Sequence, residues 1–191
     1  MNDLQPNTIT SKTNETQIKP QVVWFYGISG SGKTTLSKAV AEHLKGLNIP
    51  CLILDGDELR EGISKDLGFT LLDRYKNVKR AAEIARLACS QGLVVLVAMI
   101  TPMNIHRSVA KSIINPLLFN PFFLDCSIEG AAERDVKGLY ARAKAGKIPF
   151  FTGVDSRFVP PAEDENTINT DKTTLHGCVK KVLSIMSLTN D

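Results

Sequence analysis

Short apolar runs recur along this chain and are separated by stretches in which apolar residues have helical spacing. The runs that predict β-strands are Val22–Tyr26, Cys51–Leu54, Leu93–Ile100 and Phe122–Cys126. Strand-length runs alternating with helical patterns are typical of βαβ units, in which neighbouring strands are parallel. The pattern therefore predicts an α/β fold with a mostly parallel sheet.

Apolar residues that recur every three or four positions predict the helices of this fold. One helix lies between the first two strands and ends near residues 46–50, and a second lies before the third strand and is closed by Gly92. A last helix runs from about Thr174 to Met186. These helices would sandwich the sheet between two layers.

The residues that directly follow each strand are the first candidates for binding. Ligands of parallel sheets bind in the crevice outside the carboxyl ends of the strands. Four loops meet this condition, and they begin at Gly27, Asp55, Thr101 and Ser127.

The loop after the first strand, GISGSGKTT, contains the pattern G-x-x-x-x-G-K-[ST] between a strand and a helix. In this pattern backbone N–H groups surround phosphate oxygens, Lys33 reaches the outer phosphates and Thr34 can ligate Mg²⁺. The predicted ATP-binding residues are Gly27, Ile28, Ser29, Gly30, Ser31, Gly32, Lys33, Thr34 and Thr35. The sequence thus predicts a nucleoside triphosphate site with Mg²⁺ as cofactor and Thr34 as its protein ligand.

The loop after the second strand, LDGDELR, carries two carboxylates and an arginine. A hydroxyl that attacks a γ-phosphoryl group is helped by a carboxylate that orients it and takes its proton. Asp57 suits this task, Asp55 suits a place near Mg²⁺ or its waters, and Lys33 completes the predicted catalytic set. The alternative for Asp57 is that it only caps the next helix, where Asp is favoured.

Further motifs appear in a fixed series after these two loops. In order, the series is GISGSGKTT, LDGDELR, LGF at 67–69, DRYKNVKR at 73–80, ITP at 100–102, ERDVKGLYARAKAGKI at 133–148 and FTGVD at 151–155. Over about residues 20–175 the chain resembles adenosine 5'-phosphosulfate (APS) kinase, which phosphorylates the ribose 3'-hydroxyl of APS. The resemblance implies an enzyme of sulfate assimilation that uses ATP, and a homodimer, since relatives are usually dimers.

The resemblance also implies roles for individual residues on the acceptor side. Asp57 would meet the 3'-hydroxyl, and Arg60, Arg74 and Asn77 would hold the phosphosulfate end. An arginine fork suits the oxygens of phosphate and sulfate.

The base of the acceptor has implied contacts of its own. Phe69 and Phe151 would sandwich the adenine, since aromatic faces hold a base by stacking. Ile100 and Thr101 would line the pocket.

A basic segment, residues 134–153, is implied to be a mobile, helical lid of a P-loop kinase fold. Lys137 would reach into the site, and Leu139 is included among the substrate-binding residues. A lid that closes over polyanionic substrates excludes water, which would otherwise compete as acceptor.

The chain departs from the family pattern at several positions. Thr101 replaces a serine that is common in the family, and Val159 stands where the stretch DPYE has its glutamate. These changes leave open a related kinase that acts on another 5'-substituted nucleotide, such as cytidine diphosphoramidate. A nucleotide-binding regulator without transferase activity is a third possibility, but the NKxD motif expected of GTP-binding switches is missing.

Composition limits the remaining choices. The chain has 191 residues with 43% hydrophobic and 23% charged residues, as in a soluble globular domain, and its net charge of +3 gives no argument for nucleic acid. No apolar run is long enough for a membrane span. Four scattered cysteines without a CxxC pair suit the cytoplasm. Residues 1–20 are predicted to be a disordered polar tail, and residues 21–191 the kinase-like domain.

Overall fold

The computed structural model describes residues 18–135, 138–161 and 166–188, and a five-stranded sheet forms its centre. The strands are β1 (Val22–Tyr26), β2 (Cys51–Asp55), β3 (Val94–Ala98), β4 (Phe119–Asp125) and β5 (Asn166–Asn169). Their order across the sheet is β2-β3-β1-β4-β5, and each neighbouring pair is parallel. All five residues of β1 are buried, because this central strand has neighbours on both sides and helices on both faces.

Helices cover both faces of the sheet. They are α1 (Lys33–Gly46), α2 (Gly56–Glu61), α3 (Leu71–Ser90), α4 (Asn104–Ile114), α5 (Ile128–Glu133), α6 (Leu139–Lys144) and α7 (Leu175–Leu188). Helices α1 and α7 pack on the face that holds Val23 and Phe25, while α3 and α4 pack on the face of Trp24 and Tyr26. The predicted α/β fold with a parallel sheet between helices is confirmed.

The sequence pattern missed strand β5, helix α4 and the short helix α5. Strand β5 reads NTIN and buries only Ile168 deeply, so it has no apolar run to recognise. Helix α4 buries His106 and Arg107 beside Ala110 and Ile114, which interrupts the apolar pattern with polar residues. The third strand is shorter than predicted, and the fourth begins three residues earlier than predicted, at Phe119.

A third and smaller apolar cluster lies beyond the carboxyl ends of the strands. Its buried members are Ile28, Ala131, Tyr140, Ala143 and Phe151. It packs residues of the predicted lid against the phosphate loop, so the two are in contact in this structure. Among the described helices, none has the length and apolar character needed to cross a membrane.

Candidate active site

A cleft of about 740 Å³ opens at the carboxyl ends of β1, β2 and β3. The predicted residues that line it are Ser29, Gly30, Gly32, Lys33, Thr34, Thr35, Asp55, Asp57, Arg60, Phe69, Arg74, Asn77, Ile100, Thr101, Leu139 and Phe151. Gly27, Ile28 and Ser31 are buried within the phosphate loop. Lys137 lies outside the described residues. The fold therefore brings nearly the whole predicted site to one cleft.

The phosphate loop is held in shape by close packing against α5. Gly30 has a φ of +76°, and a Cβ at this position would lie 2.7 Å from the carbonyl oxygen of Ala131. Only glycine combines this backbone conformation with so close an approach. Helix α1 begins at Lys33 directly after the loop, so its N-terminus faces the cleft and favours an anion there.

Lys33 turns its ammonium group into the loop. Its Nζ donates hydrogen bonds to the carbonyl oxygens of Gly27 (3.1 Å) and Ile28 (2.5 Å). Burial lowers the pKa of Lys33 to about 8, and the carboxylates of Asp57 and Asp55 oppose that shift. A bound polyanion would favour the charged form of this lysine.

Asp55 organises the second loop with both of its oxygens. Its Oδ2 accepts a hydrogen bond of 2.6 Å from the Thr34 hydroxyl, and its Oδ1 accepts one of 2.8 Å from the Asp57 backbone N–H. Asp55 is thus the residue that caps α2, and the alternative that Asp57 serves only as this cap is wrong. The exposed side chain of Asp57 instead faces the cleft.

Two arginines contact one aromatic ring in the lining of the cleft. The guanidinium carbons of Arg60 and Arg74 lie 4.6 Å and 5.7 Å from the centre of the Phe69 ring. Arg74 also donates to the carbonyl oxygens of Phe69 (3.1 Å) and Phe150 (2.9 Å). Within the described ranges neither arginine forms an ion pair with a carboxylate at 4.0 Å or less.

The charged groups in this part of the cleft shift one another's pKa values. Burial, and next the nearby Arg60, lower the pKa of Arg74 to about 10, whereas Asp57 raises it. Burial lowers the pKa of Arg60 and of Lys33 as well, and the Asp57 carboxylate is among the groups that oppose both shifts. Asp57 is therefore close enough to the lysine of the phosphate loop and to both arginines to favour their charged forms.

One wall of the cleft holds two unusual polar residues. Thr101 has a φ of +44°, and its Oγ1 accepts a hydrogen bond of 2.9 Å from Trp24 Nε1. Asn77 is almost fully buried, and its Oδ1 has no hydrogen-bond partner among the described residues. This carbonyl is an acceptor that a ligand in the cleft could satisfy.

The two predicted adenine-binding aromatics differ in exposure. Phe69 is 49% exposed, whereas Phe151 is 7% exposed and packs edge-on against Tyr140, with ring centres 4.9 Å apart. The neighbouring Phe150 also lines the cleft and is 50% exposed. The Asp155 carboxylate accepts the backbone N–H groups of Phe150 and Phe151 and so fixes this turn.

Sequence reasoning did not single out Tyr140, Asp155 or Arg107. Tyr140 and Arg107 bind backbone carbonyls that are distant in sequence, so no local pattern marks them, whereas Asp155 binds backbone N–H groups four and five positions away. Tyr140 could have been noticed as the aromatic of GLYARA within the predicted lid, and Asp155 as the last residue of FTGVD.

A phosphate loop after the central strand, joined in one cleft to a carboxylate and two arginines, defines a P-loop kinase. The sequence model of the Adenylylsulphate kinase family matches residues 19–169. This chain therefore belongs to the APS kinase family.

Individual relatives agree with this assignment. The adenylyl-sulfate kinase of Burkholderia ambifaria is 39% identical over 92% of this chain and 97% of its own length. The bifunctional enzyme CysN/CysC of Xylella fastidiosa is 42% identical over 88% of this chain, which spans only 27% of that longer protein. The Mycobacterium tuberculosis APS kinase CysC, solved in complex with AMPPNP and APS, has a TM-score of 0.84 and 35% identity, covering 88% of this chain and 98% of that one.

Proposed function

We propose that this protein transfers the γ-phosphoryl group of ATP to the 3'-hydroxyl of APS, giving 3'-phosphoadenosine 5'-phosphosulfate. The observation that carries the proposal is the likeness to the M. tuberculosis enzyme solved with AMPPNP and APS. The cleft described above supports it independently, since the phosphate loop and the two arginines both line it.

The donor ATP would lie with its phosphates in the loop of residues 27–35. Lys33 would then exchange its bonds to loop carbonyls for bonds to the outer phosphate oxygens, and its charge would offset the charge that develops on them. The hydroxyl of Thr34 and the carboxylate of Asp55 are hard oxygen donors 2.6 Å apart, which fits Mg²⁺ held mainly by nucleotide and water. When bound, Mg²⁺ would neutralise phosphate charge.

The acceptor would enter between Asp57 and the arginine pair. Arg60 and Arg74 offer their guanidinium groups to the phosphosulfate, and Asn77 offers its unpartnered Oδ1 to a donor on the same molecule. Phe69 presents a half-exposed face for the base. Asp57 would orient the 3'-hydroxyl and take its proton as the phosphoryl group is transferred.

The segment 134–153 would serve as the lid. Its described residues line the cleft at Arg134, Asp135, Leu139 and 148–151, and Lys137 would add a further cation. Closure over both nucleotides would keep water from the γ-phosphate.

The function is tested by ADP release in the presence of Mg-ATP, with APS and cytidine diphosphoramidate offered as separate acceptors. We expect strong turnover with APS and little with the cytidine compound. Turnover with the cytidine compound alone would overturn the proposed acceptor while keeping the donor site. ATP hydrolysis that is slow and independent of either acceptor would favour a nucleotide-binding regulator.

Three further proposals accompany this function. We propose that the enzyme acts in the cytoplasm, that it forms a homodimer and that residues 1–20 are a tail outside the kinase domain. Light scattering on the purified protein tests the dimer, and a variant that lacks residues 1–20 should keep full turnover if the tail has no part in catalysis.

A further inference from the structure

Arg107 is a buried arginine on α4 that stands behind the cleft and not in its lining. Its side chain extends beyond α4 and binds other segments of the chain. The residue is 6% exposed. Burying an arginine destabilises the folded state unless its N–H donors form hydrogen bonds, so the groups that it binds indicate its role.

The guanidinium of Arg107 joins two segments of main chain that are far apart in sequence. Its Nη1 donates to the carbonyl oxygen of Thr101 at 3.2 Å, and its Nη2 donates to the carbonyl oxygen of Val159 at 3.0 Å. Nη2 also donates to Oδ1 of Asn104, and the guanidinium carbon lies 4.9 Å from the centre of the Tyr26 ring. One planar group is thereby fixed to the sheet, to its own helix and to both segments.

The first segment needs such support. Thr101 follows β3 at the cleft and has a φ of +44°, a conformation that a β-branched residue rarely adopts. Trp24 holds its hydroxyl and Arg107 holds its carbonyl, so the side chain and the backbone carbonyl of the residue are both anchored. Without Arg107 the backbone here could relax away from this conformation.

The second segment continues from the aromatic wall of the cleft. Phe150 and Phe151 belong to this wall, and the chain then turns through Asp155 to Phe158 and Val159. The Val159 N–H donates to the carbonyl oxygen of Pro102 at 2.8 Å, so the segment is already laid alongside the Thr101 loop. Phe158 stacks on Phe123 of β4, with ring centres 5.7 Å apart.

We propose that Arg107 is a positioning residue for the acceptor nucleotide. It sets the distance between the Thr101 loop and the aromatic wall, and the acceptor is bound between these two surfaces. The identity of that acceptor rests on the proposed function, whereas the placement of the two segments does not. The hydrogen bonds of Arg107 described above go to these two segments and to Asn104, so we expect ATP binding to depend little on Arg107.

The test uses Arg107→Lys, which keeps the positive charge but cannot bridge both carbonyls with one planar fork. We expect the KM for APS to rise about tenfold or more, because charged hydrogen bonds that position the pocket are lost. The dissociation constant of ATP should stay within about twofold of wild type, since a twofold change corresponds to less free energy than one weak hydrogen bond contributes. Arg86→Lys on α3 is the matched control, since Arg86 is exposed and pairs only with Glu83 among the described residues.

Amide hydrogen exchange gives a readout that requires no acceptor. The Val159 N–H should exchange faster in Arg107→Lys than in wild type, while amides of the phosphate loop should not change. If wild type failed to turn over APS, the proposed function would fail, but this exchange comparison would still decide the placement. Unchanged exchange at Val159 would overturn the proposal.

Two further variants guard against a general loss of folding. Asn104→Ala removes one acceptor of the Arg107 guanidinium at an exposed position. We expect smaller increases in the KM for APS and in the exchange rate of the Val159 N–H than in Arg107→Lys. Thr101→Gly relieves the positive φ, so adding it to Arg107→Lys should restore part of the affinity for APS. Equal losses of APS and ATP affinity in Arg107→Lys, with no restoration by Thr101→Gly, would mean a merely structural role.

Discussion

The Tyr140 hydroxyl donates a hydrogen bond of 2.8 Å to the backbone carbonyl oxygen of Ser29, which ties helix α6 to the phosphate loop. The same ring meets Phe151 edge-on at the acceptor side of the cleft. A single buried side chain thus contacts the phosphate loop and Phe151, and its two contacts can be separated by substitution.

Tyr140→Phe removes the hydroxyl and keeps the ring. We expect the free energy of unfolding to fall by about 1 kcal/mol and the affinity for ATP to fall about fivefold, because the Ser29 carbonyl loses its donor at a buried contact. Thermal unfolding and calorimetric titration with ATP measure these effects. Tyr75→Phe, at a half-buried position of α3, is the control, and an ATP affinity equal in the two variants would contradict the expectation.

Asp57→Asn keeps the shape of the side chain but removes its capacity to take a proton. We expect kcat to fall about 100-fold or more, as is typical when a general base is lost, with ATP binding preserved. Steady-state kinetics with APS and titration with ATP test the two parts. Asp66→Asn, which breaks only the exposed pair with Arg80, should leave kcat near wild type; a wild-type kcat for Asp57→Asn would remove Asp57 from the mechanism.

Asp55→Asn should weaken the binding of Mg²⁺ more than it impairs proton transfer to Asp57. Asn also caps helices well, so α2 should persist, while the charge opposite the Thr34 hydroxyl is lost. We expect the Mg²⁺ concentration for half-maximal rate to rise several-fold, about as expected for one lost charged hydrogen bond. A magnesium titration compares this variant with Asp57→Asn, in which no such rise is expected.

Lys33 should make ATP binding depend on pH. Its pKa of about 8 in the free protein means that the ammonium loses its proton as the pH rises through 8, whereas bound phosphates would hold the proton. Affinity for ATP should therefore weaken above pH 8, by up to about tenfold per pH unit, with uptake of about one proton at pH 9 and much less at pH 7.

Calorimetry in two buffers of different ionisation enthalpy measures this proton uptake directly. In Lys33→Arg the cation stays charged at both pH values, so uptake at pH 9 should disappear. Uptake that persists in Lys33→Arg would assign the proton to another group.

His106 should reduce stability in acid. Burial, and next the charges of Arg74 and Arg107, lower its pKa to about 4, against a smaller effect of a hydrogen bond with the Leu71 backbone. Since the folded-state pKa lies below the unfolded value of 6.5, stability is lost as the pH falls from about 6.5 toward 4, by at most about 1.4 kcal/mol per pH unit from this group.

Urea unfolding from pH 7 to pH 4 checks this dependence. His106→Leu should unfold with a flatter pH profile than wild type, because it has no group to protonate there. Parallel profiles for the two proteins would show that other residues cause the acid sensitivity.

The positions of residues that belong to a local motif could be predicted from the sequence. The phosphate loop and Asp57 each follow an apolar strand within a few residues, so order along the chain already placed them at one edge of the sheet. Arg60 and Arg74 were identified by resemblance, and the fold brings both to the face of Phe69.

Residues that act across long separations could not be found in this way. Arg107 binds a carbonyl 52 positions away and Tyr140 one that is 111 positions away. A backbone carbonyl that accepts such a bond cannot be recognised in the sequence, because every residue has one. Strand β5 was not predicted for a related reason. It is an edge strand that buries little apolar surface, and it forms through backbone hydrogen bonds to its neighbour, which the sequence does not show.

The two oxygens of Asp55 connect the phosphate loop to the loop of Asp57, since Oδ2 accepts from the Thr34 hydroxyl and Oδ1 accepts from the Asp57 N–H. A hydroxyl that ligates a metal ion through its oxygen keeps its O–H, so Thr34 would still be able to donate to Asp55 with a metal–nucleotide complex bound. One carboxylate would then hold the donor site and the backbone of Asp57, two positions further along the chain, in a fixed relation.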